Sequence, residues 1–187
     1  VTNSATASVQ QQRPRLATVW LDGCSGCHMS LLDTDARLVE LASLCDVVFS
    51  PLVDAKRVPD EIDLTLVEGA VSSDHDWHLL VRLRAASKLL VAFGDCAVTG
   101  NVPSMRNIVP LSAIYRRVFQ ETGDPAAGCP SEGVPRLLER VLPVHHVVPT
   151  DIHLPGCPPP ANAIYQVLSE VLAGRKPEPL KLTRFGS

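Results

Sequence analysis

No apolar run in the chain approaches the roughly 20 residues that a membrane-spanning helix needs, so no membrane span is expected. The opening VTNSATASVQQQRPR is polar and lacks the apolar centre of a secretory signal. Arg13 and Arg15 are separated by Pro14 and do not form a twin-arginine motif. Basic residues are not in excess: 17 Lys and Arg stand against 20 Asp and Glu, for a net charge of −3. That balance, with no basic stripe, argues against a nucleic-acid binder. No G-x-G-x-x-G follows a predicted strand, so the chain is not expected to hold NAD itself. Aromatic residues are scarce, at 4%. These absences predict a cytoplasmic chain. Stable disulfides are rare in that compartment, and clustered cysteines more often bind metal or carry redox chemistry.

The 187 residues suit one domain, and 45% hydrophobic content supplies a sizeable core. Residues 1–14 read as a flexible arm, 15–174 as the globular unit and 175–187 as a polar tail. RLATVWLDG (15–23) predicts a buried strand, followed by a helix over 28–44 capped by Ser30 with Asp33 three residues on. Further strands are predicted over 45–52, 61–71 and 88–96, with an amphipathic helix over 77–87. The stretch 97–144 reads as loops around a short helix near Leu111–Phe119. Residues 145–157 end in an extended segment, and 158–174 read as a helix with proline at its start and Gly174 at its end. The 16 prolines, many of them in the second half, predict long, stiff loops there. Short apolar strands alternating with helices predict an α/β fold: an open, mostly parallel sheet covered on both faces. Functional groups of such sheets gather beyond the carboxyl ends of the strands.

The cysteines obey that rule. Cys24 and Cys27 follow the first predicted strand, Cys96 the fourth and Cys157 the last extended segment. Gly23, Gly26, Gly94 and Gly156 accompany them, and glycine lets backbone approach a cluster closely with its amides free to donate to sulfur. Four thiolates suit zinc or a 4Fe–4S cluster. A structural zinc site is often built from two C-x-x-C knuckles. One knuckle and two single, distant cysteines favour iron–sulfur, and a structural zinc module stays as the alternative. Cys45, in LASLCDVVF, reads as a small buried hydrophobe. Cys129, in AAGCPSEG, competes with Cys157 for the fourth ligand place.

Glu68, at the end of the third strand, has two readings: a functional carboxylate near the cluster, in a proton path or orienting a ligand loop, or a structural acid that caps or stabilises a loop. His28 reads as an ordinary helix-start histidine, with a hydrogen-bond donor to the cluster or interface as the alternative. His75, His78, His145, His146 and His153 read as surface or structural, and Asp22 and Asp95 as turn acids.

DGCSGCHMSLLD, VEGAV, GDCAVTGNVPSMRN and LPGCPPP together resemble, in order, the motifs of the small subunit of nickel–iron hydrogenases. The resemblance covers about residues 15–174. It implies a flavodoxin-like domain with one 4Fe–4S cluster on Cys24, Cys27, Cys96 and Cys157, at the C-terminal ends of the strands. It also implies a large-subunit partner that holds the Ni–Fe centre. Short, leaderless small subunits of this kind are similar to those of cytoplasmic bidirectional hydrogenases. Their partners include diaphorase subunits with iron–sulfur clusters and FMN that reduce NAD. The alternatives are a subunit of an F420-type hydrogenase or of a complex-I-like quinone oxidoreductase. The 20-kDa-type subunit of complex I shares the fold but has adjacent cysteines where this chain has C-x-x-C. An FMN-binding flavodoxin-like module is a third alternative, and whether a flavin binds in this chain stays open. Asn101 stands where many relatives have a second glycine.

Overall fold

The structure is a computed structural model, and it describes residues 13–124 and 128–186. Most of the arm predicted over 1–14 therefore lies outside the described residues. Its last two positions do not. The Arg13 guanidinium reaches the carbonyls of Ala42 and Cys45 and pairs with Asp46 at 2.9 Å.

Seven strands and six α-helices follow one another along the described residues. Strands β1 (Arg15–Trp20), β2 (Asp46–Phe49), β3 (Ile62–Glu68), β5 (Ser87–Phe93) and β7 (Ile152–Leu154) form one sheet in the order β2-β1-β3-β5-β7. Every pairing in it is parallel. Strands β4 (Val71–Ser73) and β6 (Leu137–Leu142) make a separate antiparallel pair. The single predicted strand over 61–71 is thus split. Gly69, at φ +90°, turns the chain between β3 and β4, and a Cβ there would meet the Leu21–Asp22 backbone at 2.8 Å.

Alternation along the strands sends side chains to opposite faces. Leu16, Leu64, Leu66, Val91 and Phe93 meet α1 (Gly26–Leu32), α2 (Ala36–Leu44) and α6 (Ala161–Leu172) through Leu31, Leu41, Ile164 and Leu168. Ala17, Val19, Val67, Leu90 and Ala92 face α3 (Asp74–Ala86) and α4 (Asp95–Thr99) through Leu80, Leu83 and Val98. Burial on both faces explains why the central strands read as near-continuous apolar runs.

Several helix ends differ from expectation. The helix expected over 28–44 is two helices, broken at Asp33–Asp35, with Asp35 at φ +51°. Three consecutive polar residues end the first apolar stripe, and the second resumes in near register. Ser30 is not a cap. It lies inside α1, and its hydroxyl donates to the Pro159 carbonyl at 2.6 Å. Helix α3 starts three residues earlier than expected because Ser73 and Asp76 form a reciprocal capping box. The predicted short helix exists as α5 (Leu111–Tyr115) and continues as a π-helical segment over Arg116–Glu121. Strand β6 falls within 97–144, where the sequence predicts loops around one helix. Residues 145–157 hold strand β7 in their latter part, and Val144–His146 is a 3₁₀ turn. The tail folds back onto the domain: Leu182 packs against the α6 face and Thr183 is buried.

Counting the main-sheet strands alone, the order is 2-1-3-4-5, a doubly wound order that reverses direction between β1 and β3. The crevice beyond the carboxyl ends at that switch point is where such sheets place ligands.

Candidate metal centre

Three loops converge on that crevice. The first leaves β1 and carries Cys24 and Cys27 into α1, the second leaves β5 and carries Cys96 in α4, and the third leaves β7 and carries Cys157 before α6. All six cysteines are free thiols. Burial pushes the Cys27 thiol up from its ordinary value, and Glu68, Cys96, Cys24 and Cys157 each push it further. The Cys96 thiol is pushed up to about 11 by burial and then by Cys157 and Cys24. Four thiols from three separate loops therefore lie within one another's field. Cys129 is not among the groups acting on either. It is exposed, and its thiol faces the Pro130 carbonyl at 3.7 Å. Cys45 is buried in the apolar cluster, and its Sγ donates to the Leu41 carbonyl at 3.3 Å.

The glycines divide into kinds. A Cβ on Gly94 would stand 2.2 Å from Cys27 Sγ, and one on Gly26 would stand 3.2 Å from Cys24 Sγ, so these two make room for sulfur. Gly156, at φ +134°, serves the turn itself, since a Cβ would strike the Pro159 backbone at 2.5 Å. Gly23 lies against the Gly69 backbone.

Glu68 ends β3 and is 1% exposed. One carboxylate oxygen accepts from the Cys27 amide at 3.1 Å, and the other accepts from the His28 amide at 2.9 Å and meets His28 Nδ1. The free amides at the start of α1 are thus satisfied by a side chain some forty residues away rather than by a local cap. Ser25, the residue at the cap position, sits at φ 66° and makes no side-chain cap bond. His28 Nε2 continues to Thr18 Oγ1 at 3.0 Å, and Thr18 Oγ1 to Ser50 Oγ at 2.7 Å. Trp20 stacks on the imidazole from one side and Phe93 meets it edge-on. These bonds make Glu68 the cap of α1 and tie it to the loop that carries Cys27.

Asp95, expected as a turn acid, does more. It is 5% exposed. Its Oδ1 accepts from the Gly156 amide at 2.7 Å and its Oδ2 from the Gly186 amide at 2.8 Å. One carboxylate thereby ties the Cys96 loop to the Cys157 loop and to the tail. Sequence reasoning missed this because both partners are distant backbone amides. It also missed Asn101, whose Nδ2 lies 3.4 Å from Cys157 Sγ. His145, read from the sequence as surface or structural, meets His146 and His153 with ring centroids 4.6 and 5.6 Å away. Burial and then those two imidazoles push its pKa down.

The donor set fits an iron–sulfur cluster. Four sulfurs crowd a partly buried crevice and oppose one another's ionisation, which a cationic centre reverses. Gly94 leaves the space beside Cys27 that a Cβ would fill. Among the described residues no three His, Cys, Asp or Glu side chains converge on a single ion-sized point. A cubane takes each thiolate on a separate iron and does not ask for that convergence. Among the described residues, no helix is long and apolar enough to cross a membrane.

Comparison with known proteins agrees. The family described as NADH ubiquinone oxidoreductase, 20 Kd subunit, matches residues 24–171. The delta chain of HoxS, the NAD-reducing hydrogenase of Cupriavidus necator, is 35% identical over 176 residues, covering 91% of this chain and 84% of that one. A vhu-type chain of the F420-non-reducing hydrogenase of Methanocaldococcus jannaschii is also 35% identical, over 166 residues, covering 88% of this chain. This chain spans only 58% of that relative's length. A crystal structure of an NAD+-reducing [NiFe]-hydrogenase in the H2-reduced state contains a chain 40% identical, with a TM-score of 0.87, covering 93% of this chain and 99% of that one. From the C-x-x-C loop through α6, this chain belongs to the family of the NADH ubiquinone oxidoreductase 20 Kd subunit, on its nickel–iron hydrogenase small-subunit branch.

Proposed function

We propose that the chain holds one 4Fe–4S cluster on Cys24, Cys27, Cys96 and Cys157. In this reading it relays electrons from dihydrogen oxidation at the Ni–Fe centre of a large subunit toward a cytoplasmic diaphorase that reduces NAD. The observation that carries this reading is the gathering of those four thiols, from three loops, at the switch point of a flavodoxin-like strand order. When bound, such a cluster supplies a one-electron carrier. The chain's own residues do the rest. Glu68 holds the Cys27 amide and fixes the start of α1. Asp95 holds the Cys96 and Cys157 loops at a set distance. Phe93 and Leu154, buried beneath the loops, keep water from the underside of the crevice.

NAD is favoured as the final acceptor by the 40% identity to the chain of the NAD+-reducing enzyme. An F420-type acceptor is the second reading, since the gamma chain of the coenzyme F420 hydrogenase of Methanococcus voltae is 27% identical. The test is anaerobic isolation of the assembled complex and assay under dihydrogen with NAD, coenzyme F420 and a viologen dye. NAD reduction without F420 reduction is expected. F420 reduction without NAD reduction transfers the proposal to the second reading. Dye reduction by a complex whose preparation contains no iron in this chain would refute the relay.

A further inference from the structure

The turn that follows α4 keeps a side chain where the backbone favours none. Gly100 sits at φ +89° and Asn101 at φ +29°, on the side of backbone space that L side chains rarely occupy. The turn is held there by three bonds. The Asn101 amide donates to Thr99 Oγ1 at 3.3 Å, and the Asn101 carbonyl accepts from Ser104 Oγ at 2.7 Å and from the Ser104 amide at 3.1 Å. Glycine would adopt this conformation freely. What glycine would lose is the contact made by the side chain, with Nδ2 3.4 Å from Cys157 Sγ. Only the NH2 end of the amide suits that place, because the oxygen end would set its lone pairs against those of sulfur.

We propose that Asn101 is a positioning residue that sets the reduction potential at this site. Its amide donates to the Cys157 thiolate and raises the potential above the value glycine would give. The inference rests on the reading of Cys157 as a cluster ligand. One-electron reduction adds one negative charge to the cluster and its thiolates. A donor at 3.4 Å from one of those sulfurs stabilises the more negative state more than the oxidised one.

The test is a redox titration of the assembled complex with dithionite as the electron donor, followed by EPR on the signal that Cys96→Ala abolishes. Asn101→Gly suits the backbone and is expected to keep its full iron content. At the wild-type midpoint its reduced-to-oxidised ratio should fall about tenfold, which is about 59 mV for a one-electron couple. Asn101→Asp keeps the shape, removes the N–H and adds a negative charge, and should lower the potential further. Iron-replete variants that both titrate at the wild-type potential would overturn the proposal, as would loss of iron from Asn101→Gly. A wild-type complex with no iron in this chain would instead sink the ligand assignment beneath it.

Discussion

The two rims of the parallel sheet treat charge in opposite ways. At the rim of strand starts, Arg13 pairs with Asp46 at 2.9 Å and Lys88 with Asp63 at 2.7 Å, all near solvent. Opposite charges there satisfy each other, and exposed pairs of this kind contribute little to stability. At the rim of strand ends, groups of one sign crowd together. The causes that push up Cys27 and Cys96 include Glu68 and the other thiols, and no lysine or arginine is among them. Glu68 is held there by the Cys27 and His28 amides and the His28 imidazole, and Asp95 by the Gly156 and Gly186 amides, with no lysine or arginine among these partners. A fold tolerates such an arrangement where a positive centre is to be bound, and the contrast marks one rim as scaffold and the other as site.

The sharpest way to break that contrast is to remove a thiol. Cys96→Ala should abolish dihydrogen-driven NAD reduction in the assembled complex, with a loss of more than about a hundredfold, while Cys129→Ala should leave the rate near wild type. Next is Glu68→Ala, which strips the Cys27 and His28 amides of their acceptor. At about 1–3 kcal/mol for each buried unsatisfied group, denaturant unfolding should show a loss of about 3 kcal/mol. Glu68→Gln, which keeps one acceptor oxygen, should cost about half of that. Asp95→Asn should cost about 1–2 kcal/mol, because one of the Gly156 and Gly186 amides must lose its partner, and hydrogen exchange at those two amides will show which.

The smallest effect is expected at the other rim. Lys88→Ala should shift the unfolding midpoint by no more than experimental scatter. The hydrogen bond from Lys88 and then that from the Arg15 amide hold the Asp63 carboxyl below its ordinary value. The folded form therefore favours the ionised acid. The pair's small contribution is present at neutral pH and is lost as pH falls through the folded value. A titration of Asp63 by NMR should move up toward the ordinary carboxylate value in Lys88→Ala.

Much of this is legible in the chain because parallel strands advertise themselves as apolar runs and the glycine-flanked cysteines follow them directly. Four of the five main-sheet strands lie within predicted extended segments, and β5 starts one residue ahead of its own, at Ser87, which the sequence assigns to the preceding helix. What stays hidden depends on partners far away in sequence. Nothing local to Ser25 says that Glu68 will cap α1, and nothing near Asp95 names Gly156 or Gly186. The break at Asp33–Asp35 is disguised because leucines on either side preserve a helical period across it. Strand β6, LLERVL, mixes charge with leucine and pairs only with the three-residue β4, so no clean alternation marks it. In the sequence Asn101 is a minor departure from a glycine pattern. Its meaning emerges only where its amide meets Cys157.

The claim on which the rest depends is that these four cysteines hold one cluster. Metal analysis with Mössbauer spectroscopy on iron-enriched, anaerobically isolated complex tests it most directly when Cys24, Cys27, Cys96, Cys157 and Cys129 are each changed to serine. The account predicts about four spin-coupled irons assigned to this chain, perturbed or lost in each of the first four variants and intact in Cys129→Ser. An unperturbed cluster in any of those four, or zinc in place of iron in the wild type, would contradict it.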